Sequence, residues 1–591
     1  MKKIILFAAI IFSTCIANAQ WSRVNNSENS TKETKFAHMV YMGKSSNVYT
    51  LLCPESNCLS VNTDLNLIAF TTRTNSSIYA GNRIGTYFST DGGLSFIDSL
   101  MEPWQIPVTD YRARYPSGVI YNPAGNTDPA NAYIIATAPM VTSSGYIGSI
   151  YASQKFDGST PDQQYTLYAT DTAGGTGFIN SNPRYFLQNR GNKIFVLGEA
   201  NVDAITYFNS FRTIINVGEW QGNSINWTRY SFIPDFALNP HGHPDGFPLA
   251  GLAMGDDGQS GYLIEVGRNN DANDLYTFQP IIYKTTDCCQ TWTKQNFNWE
   301  QLPLVSQIAQ TYSPVGRPLF SAPLEAVIDI NGNLHFATYV YGAFSDHMDS
   351  LGVHAAYPSW KGIIFDIHQT VNGWDAFIID TVFASDPVDY PFMGMSYTER
   401  FQMSCTRDRS KIAYAWIDTD TSLDHSNKYP DLMLRMYNVN TNILYPKTNV
   451  TACTEADASA FWMYLGDNII NIGNSLFEIP VSISSHGAND LDSVSHYYLE
   501  GIIYEFFIDV PENDFREIIC EIFPNPATDK IFINITDNAK LEIINIHGQI
   551  KVTKVLTGKM NELDISSLKK GVYIFKISTE KGIVMKKIVK Q

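Results

Sequence analysis

The sequence is poor in charge and in cysteine, and no apolar run in it is long enough to cross a bilayer. Charged residues fill only 17% of its 591 positions, whereas a disordered chain depends on high charge and low hydrophobicity. Eight cysteines cannot staple so long a chain, so disulfides are accessories to this fold. Cys15 lies in the leader, Cys53 and Cys58 bracket a loop that a disulfide can close, and a bond between the neighbours Cys288 and Cys289 would be strained. The apolar run Ile4–Phe12 falls far short of the roughly 20 residues of a spanning helix. Lys2 and Lys3 precede it and Ala17-Asn18-Ala19 follows, so residues 1–19 have the layout of a cleaved signal peptide. No Gly-x-Ser-x-Gly, His-Glu-x-x-His or P-loop pattern occurs. No other transmembrane segment is expected.

Basic residues are scarce as well, with 41 Lys and Arg against 58 Asp and Glu for a net charge of −17. The deficit is uneven. From Glu521 onward twelve Lys face seven acidic residues, a net of +5 that leaves −22 for everything before it. So acidic a body excludes nucleic acid as a partner, because phosphate recognition needs clustered Lys and Arg.

What the sequence does have is aromatic residues, 13% of the total, which suit half-buried pleated sheets. From about residue 60 to 510, short apolar-aromatic runs alternate with turn signals. Leu67–Phe70, Lys193–Leu197, Gly261–Val266, Leu334–Tyr339 and Lys411–Trp416 are examples, and Asp329-Ile330-Asn331-Gly332-Asn333 reads as a hairpin turn. The runs recur every 60 to 70 residues or so, as expected of four-stranded units repeated radially. The expectation is an all-β chain: a six- or seven-bladed β-propeller over residues 20–510, a linker at 511–520, and a small C-terminal β-sandwich over 521–591. Sustained helical periodicity is absent, so no helix is expected in the body.

Two segments carry a more specific pattern. Ser89-Thr90-Asp91-Gly92-Gly93-Leu94-Ser95-Phe96 resembles the Asp-box of sialidases and related BNR-repeat propellers, and Thr285-Thr286-Asp287-Cys288-Cys289-Gln290-Thr291-Trp292 resembles it again. In such a turn the carboxylate accepts N–H bonds, glycine permits a left-handed backbone, and the ring packs beside the sheet. The resemblance implies structural roles for Ser89, Asp91, Gly93, Ser95 and Phe96, and for Thr285, Asp287, Thr291 and Trp292, and catalytic roles for none. Cys289 replaces the second glycine of the pattern and puts that left-handed turn in doubt.

Sialidase chemistry would further need three arginines around a Tyr–Glu pair. The Arg-Ile-Pro segment that marks the first arginine is missing, which leaves Arg73, Arg112, Arg114 and Arg317 as candidates by residue type. His241-Gly242-His243-Pro244-Asp245 offers imidazole and carboxylate groups, and reads first as a turn. Asp418, Asp420 and Asp424 are weak candidates for calcium, a cation that collects oxygen ligands. No other cofactor is expected. Trp104, Tyr111, Trp220 and Trp360 are candidate stacking surfaces, with burial the plainer role.

The densest motif lies at the end. Phe523-Pro524-Asn525-Pro526-Ala527-Thr528-Asp529 is followed by Leu541–Gln549 with Gly548, Leu563–Leu568, Lys570-Gly571-Val572-Tyr573, and the basic close Lys586–Lys590. These blocks resemble the type A C-terminal sorting domain of the type IX secretion system. The resemblance implies export through the periplasm by that machinery, then release or attachment to surface lipopolysaccharide. The functional expectation is a secreted or cell-surface propeller that binds a glycan or a protein, more a binding module than an enzyme. A sialidase-like glycoside hydrolase is the alternative.

Deleting Phe523–Gln591 should therefore leave the protein in the periplasm, since a signal peptide alone carries it across one membrane. Fractionation and immunoblotting test this, and truncated protein in the medium would contradict the sorting role.

Overall fold

The computed structural model describes residues 37–591 except 52–55, 75–82, 106–109, 144, 168–179, 202–210, 223, 241, 243, 272–275, 348–354, 357–361, 383–399, 420–428, 474, 486, 488–490, 507–519, 536–537, 546–548, 558–559 and 580–581. The chain separates into two compact units, Met1–Phe506 and Phe507–Gln591. The leader and the 511–519 part of the expected linker lie outside the described residues.

Among its described residues the first unit is built of small antiparallel sheets, seven of which have four or five strands. The first sheet comprises Leu59–Asn62, Leu67–Arg73, Ile84–Ser89 and Met101–Trp104. The second pairs Ser117–Tyr121, Tyr133–Thr142, Gly145–Lys155 and Asp162–Leu167; the third, Asn180–Arg190, Lys193–Asn201, Phe211–Gln221 and Ser224–Phe232. The fourth runs from Gly246–Met254 to Thr293–Lys294, the fifth from Pro318–Ile328 to Gly373–Thr381, and the sixth from Phe401–Cys405 to Thr448–Asn449. The seventh joins the two ends of the unit, because His38–Ser45 pairs with Val494–Glu500, beside Val481–Ser485 and Trp462–Leu465.

Strand alternation sends successive side chains to opposite faces, and here both faces are buried. In the first sheet Leu67 and Ala69 pack with Ile120 and Ile134 of the second sheet, while Ile68 and Phe70 pack with Tyr464 and Tyr498 of the seventh. In the third, Ile194 and Val196 meet Ile135 of the second, and Phe195 and Leu197 meet Leu263 of the fourth. Ile264 of the fourth sheet meets Phe336 of the fifth. Tyr414 and Trp416 of the sixth face Tyr339 of the fifth, and Ala413 and Ala415 face Met463 and Val481 of the seventh. Every consecutive pair of sheets thus shares a core, and buried residues of the seventh sheet also pack with those of the first. Two-faced burial also explains why the strands read as nearly continuous apolar runs.

The first strand of each sheet would otherwise expose an unpaired edge. Side chains from neighbouring sheets cap many of these groups. Ile120 N donates to Ser60 Oγ (3.0 Å), Met254 N to Gln188 Oε1 (3.1 Å), Leu465 N to Gln402 Oε1 (2.7 Å) and Val61 N to Asp467 Oδ1 (2.7 Å). Arg409 of the sixth sheet donates to the Met254 and Ile328 carbonyls of the fourth and fifth.

The body is all-β as expected, and among the described residues it also carries one short α-helix. Pro303–Tyr312 starts with proline in its first turn, where the missing N–H costs nothing, and buries Val305, Ile308 and Ala309. Only three turns long, it falls below the length at which its period stands out of the sequence. Cysteine chemistry is simpler than the sequence allowed. Cys58, Cys288 and Cys289 are buried free thiols, Cys58 Sγ donates to the Pro116 carbonyl (3.5 Å), and Cys53 lies outside the described residues.

The second unit holds two antiparallel sheets, one of Cys520–Phe523, Lys530–Ile535 and Met560–Asp564, the other of Ala539–Asn545, Ile550–Leu556, Gly571–Thr579 and Gly582–Lys590. Ile531, Ile533, Leu541, Ile543, Phe575 and Ile577 form their shared core. Asn525, between Pro524 and Pro526, accepts from Val589 N (2.9 Å) and donates to the Lys587 carbonyl (2.9 Å). The motif that opens the unit is thereby fastened to its last strand. Tyr573 donates to the Lys569 carbonyl (2.9 Å), next to Gly571. Gly548 lies outside the described residues.

Candidate functional site

Antiparallel pairing sorts the connections of the first unit between two ends. At one end lie tight turns: 63–66, 191–192, 255–260, 329–333 and 406–410. At the other end lie the longer connections, to which the described residues 110–116, 233–240, 244–245, 295–317, 344–347 and 400 belong. Arg73, Arg112, Arg114 and Arg317 all fall at the long-connection end, joined there by Arg268 and Arg400, which the sequence analysis did not single out. Different neighbours hold each of them. Arg73 Nη1 donates to Asn47 Oδ1 (3.3 Å), Arg112 pairs with Asp110 (2.9 Å), and Arg114 donates to the Ala113 carbonyl (3.0 Å). Arg268 pairs with Asp245 (2.9 Å), Arg317 lies over the Tyr276 ring (5.5 Å), and Arg400 lies over Tyr464 (5.7 Å).

The two Asp-box-like segments adopt one design. In the first, Ser89 Oγ donates to Asp91 Oδ1 (2.7 Å) and accepts from Gly93 N (2.8 Å), while Ser95 gives Asp91 both its N–H (3.0 Å) and its hydroxyl (2.6 Å). Thr285, Asp287, Cys289 and Thr291 repeat these four bonds at 2.9, 3.1, 2.9 and 2.6 Å. Cys288 and Cys289 take φ of +59° and +67°, so cysteine does reach the left-handed region where the first turn has Gly92 and Gly93. The bonds and the buried thiols fix the turn despite the steric cost of a Cβ there. Phe96 packs near Tyr498 (6.0 Å) and Trp292 near Phe232 (6.1 Å). Each net hydrogen bond of this kind contributes about 0.5–1.5 kcal/mol.

The other nominated residues are dispersed. Asp418 is buried within the strand Lys411–Thr419, and Asp420 and Asp424 lie outside the described residues, as do His241, His243 and Trp360. Trp104 is fully buried, and Trp220 stacks on Tyr121 (5.1 Å).

A buried polar cluster escaped the sequence analysis. Asp366 and His368 project from one face of Ile363–Thr370, and His335 is the cross-strand partner of His368. His335 Nδ1 and His368 Nδ1 lie 3.1 and 2.9 Å from Asp366 Oδ1, Tyr414 donates to Asp366 Oδ2 (2.7 Å), and Asp329 Oδ2 stands 3.6 Å from His335 Nε2. The potential metal-ligating atoms of His335, Asp366 and His368 lie within 4.8 Å of one another. The two imidazoles stack at 4.7 Å with 12° between planes, and both turn Nδ1 toward the one oxygen Asp366 Oδ1. Hydrogen bonding accounts for that arrangement better than a tetrahedral cation does. The available signal was an Asp-x-His pair in one strand facing a His in the next.

Burial alone would push the His335 pKa down, but Asp366 and Asp329 outweigh it and raise it to about 9. The same contacts hold Asp366 below the usual carboxylate range, against a burial effect that would raise it. The stability due to protonated His335 is complete below its unfolded pKa near 6.5 and is lost as pH rises through about 9, a loss on the order of 3 kcal/mol. Melting temperature should therefore fall between pH 6.5 and 9.5. A His335→Gln variant, less stable at pH 6.5, should lose most of that slope, and an undiminished slope would contradict the assignment.

On the flank, a cleft of about 380 Å³ opens between the outer strands of the second and third sheets. Tyr151, Gln164, Tyr165 and Thr166 line one side, and Asn216, Asn226, Trp227 and Arg229 the other. Trp227 lies across Gly218, where any Cβ would strike its ring, and sits 4.7 Å from Tyr151. Arg229 donates to Asn216 Oδ1 and Thr166 Oγ1, both at 3.1 Å, which ties the two walls together.

Residues 521–591 match the family model described as the secretion system C-terminal sorting domain. The chain is a cargo of the type IX secretion system, and its destination is the cell surface or the medium. Among the described residues no helix is long and apolar enough to cross a membrane. No curated protein matches the chain. Among solved structures it is similar to the polysaccharide lyase Uly1 at 9% identity, covering 76% of this chain and 91% of that one, with a TM-score of 0.42. It is similar to the α-L-arabinofuranosidase Arb93A of Fusarium graminearum at 11% identity, with coverage of 69% and 99% and a TM-score of 0.36. The Hadza microbial sialidase Hz136 gives 9%, 78% and 74%, and 0.33. With TM-scores this low, neither fold nor chemistry is carried over from these proteins.

Proposed function

We propose that the first unit is a seven-bladed β-propeller, cut from its leader after Ala19, that acts at the cell surface as a binding module for a glycan or a protein. The shared cores between consecutive sheets, including the seventh with the first, support the ring. In this reading the turns at Asp91 and Asp287 are structural Asp-boxes at the tight-turn end. The ligand meets the opposite end, since long connections on a rigid scaffold are where binding groups collect.

Binding is favoured over hydrolysis by one observation: among the described residues the candidate arginines at that end contact different groups, Asn47, Asp110, the Ala113 carbonyl, Asp245, Tyr276 and Tyr464. A sialidase has to stabilise charge with groups placed before the reaction. The acidic body would also repel an anionic sugar from afar. After export, removal of the sorting domain would leave the body free or attached to surface lipopolysaccharide.

Affinity electrophoresis of the purified secreted protein against a panel of neutral and acidic polysaccharides, with a pull-down of surface proteins, tests this reading. An Arg317→Ala/Tyr276→Ala variant should weaken retention at least about tenfold with melting unchanged. An aryl sialoside should not be turned over, and turnover abolished by Arg317→Ala would promote the hydrolase.

A further inference from the structure

The geometry points to a modification site where Lys193 meets Cys288: dioxygen joins the lysine Nζ to the cysteine Sγ through one bridging oxygen atom. The bond ties the third sheet to the fourth, at the tight-turn end and away from the long connections.

Three side chains from two sheets meet there. Lys193 opens the second strand of the third sheet, directly after the turn at 191–192, and its Nζ lies 3.3 Å from Cys288 Sγ. Glu219, the cross-strand partner of Lys193, holds the same Nζ at 2.8 Å. Cys288 belongs to the Asp287 turn of the fourth sheet, where its N–H donates to the Gln259 carbonyl (2.9 Å). It is 4% exposed, whereas the Lys193 side chain is 19% exposed. The pair therefore sits just beneath the surface, covered against bulky reagents and within reach of a small oxidant.

The backbone singles out the same residue. At the matching position the first turn has Gly92, with φ of +76°, while Cys288 takes φ of +59°, a conformation that a Cβ disfavours. A local rule broken in this way marks strained or functional positions. Its neighbour has a different partner: Cys289 Sγ lies 3.8 Å from Met254 Sδ, so the adjacent thiols are directed apart. Burial pushes the Cys288 thiol up, and the Lys193 ammonium beside it acts in the opposite sense.

The lysine must lose a proton before it reacts, and the Glu219 carboxylate is in place to take it. The thiol S–H, one N–H of the neutral amine and the O–O bond then break. S–O and N–O bonds form, and the two hydrogens leave with the second oxygen atom as water. Sulfur and nitrogen give up two electrons each, and those four reduce the dioxygen. Export brings the chain into oxidising surroundings, where a thiol climbs the oxidation ladder. The flexible stem of Lys193 lets the nitrogen close the remaining gap.

Peptide mass spectrometry of the purified secreted protein, prepared in air without reductant, is the test. A linked pair of peptides holding residues 193 and 288 should weigh about 14 Da more than the two free peptides, for one oxygen gained and two hydrogens lost. Trypsin should not cut after Lys193, and dithiothreitol should restore both that cut and an alkylatable Cys288. Protein reduced and kept under argon should hold both groups free, and heavy-isotope dioxygen then admitted should add about 2 Da more to the link. Lys193→Arg keeps a cation beside Glu219, and Cys288→Gly adopts the residue of the first turn; each should fold and give no linked pair. Air-exposed protein in which Cys288 is fully alkylated after denaturation and Lys193 is cleaved would overturn the site. So would oxygen added to Cys288 without a link to Lys193, or a disulfide between Cys288 and Cys289.

Discussion

The first unit depends on a pairing between its two ends. His38–Ser45 adds the outermost strand to a sheet whose other members come from residues 462–500, in a register that sets Met39 opposite Leu499 and Tyr41 opposite Tyr497. Without it Val494–Glu500 would be an exposed edge, open to pairing with another chain. The remaining sheets follow, because each is buried on both faces and none has a core of its own. Cores are therefore shared between sheets: Phe70 of the first sheet packs on Tyr464 and Tyr498 of the seventh as Phe195 of the third packs on Leu263 of the fourth. Inner-edge N–H groups are capped across the same boundaries, so hydrogen bonding and apolar packing agree on the neighbours.

Sharing both faces of every sheet separates tasks in space. Strand parity fixes which connections share an end, so loop length can grow at one end without disturbing the tight turns at the other. The Asp91 and Asp287 turns lie at the short end and bind themselves, with every carboxylate oxygen occupied by a residue within four positions. The arginines lie at the long end. The flank cleft is walled by strand residues whose positions are fixed by the sheets.

Much of this was legible from residues alone. The strands were readable because two-faced burial makes runs such as Ile412–Trp416 apolar without a break, and the sorting module because its motifs are dense and in order. The number of sheets was not, since strands of two to eleven residues and connections of very different lengths blur the repeat. The helix Pro303–Tyr312 hid for lack of length. Cys289 misled because a glycine was expected wherever φ is positive, while the surrounding bonds impose that conformation on a thiol. His335, Asp366 and His368 sit 31 or more residues apart or in an ordinary strand run, and only the register between two strands brings them together. The cleft was invisible for the same reason: its walls come from different sheets.

Closure of the ring is tested most directly by cross-linking its two ends. In a Cys453→Ser background, which removes a thiol that is exposed among the described residues, Tyr41→Cys and Tyr497→Cys replace a directly paired couple whose rings are 5.7 Å apart. Oxidation of the folded monomer, followed by peptide mass spectrometry, should give an intramolecular link between residues 41 and 497 that does not form in urea. Absence of that link in folded protein, or its appearance only between two molecules, would contradict a ring closed within one chain.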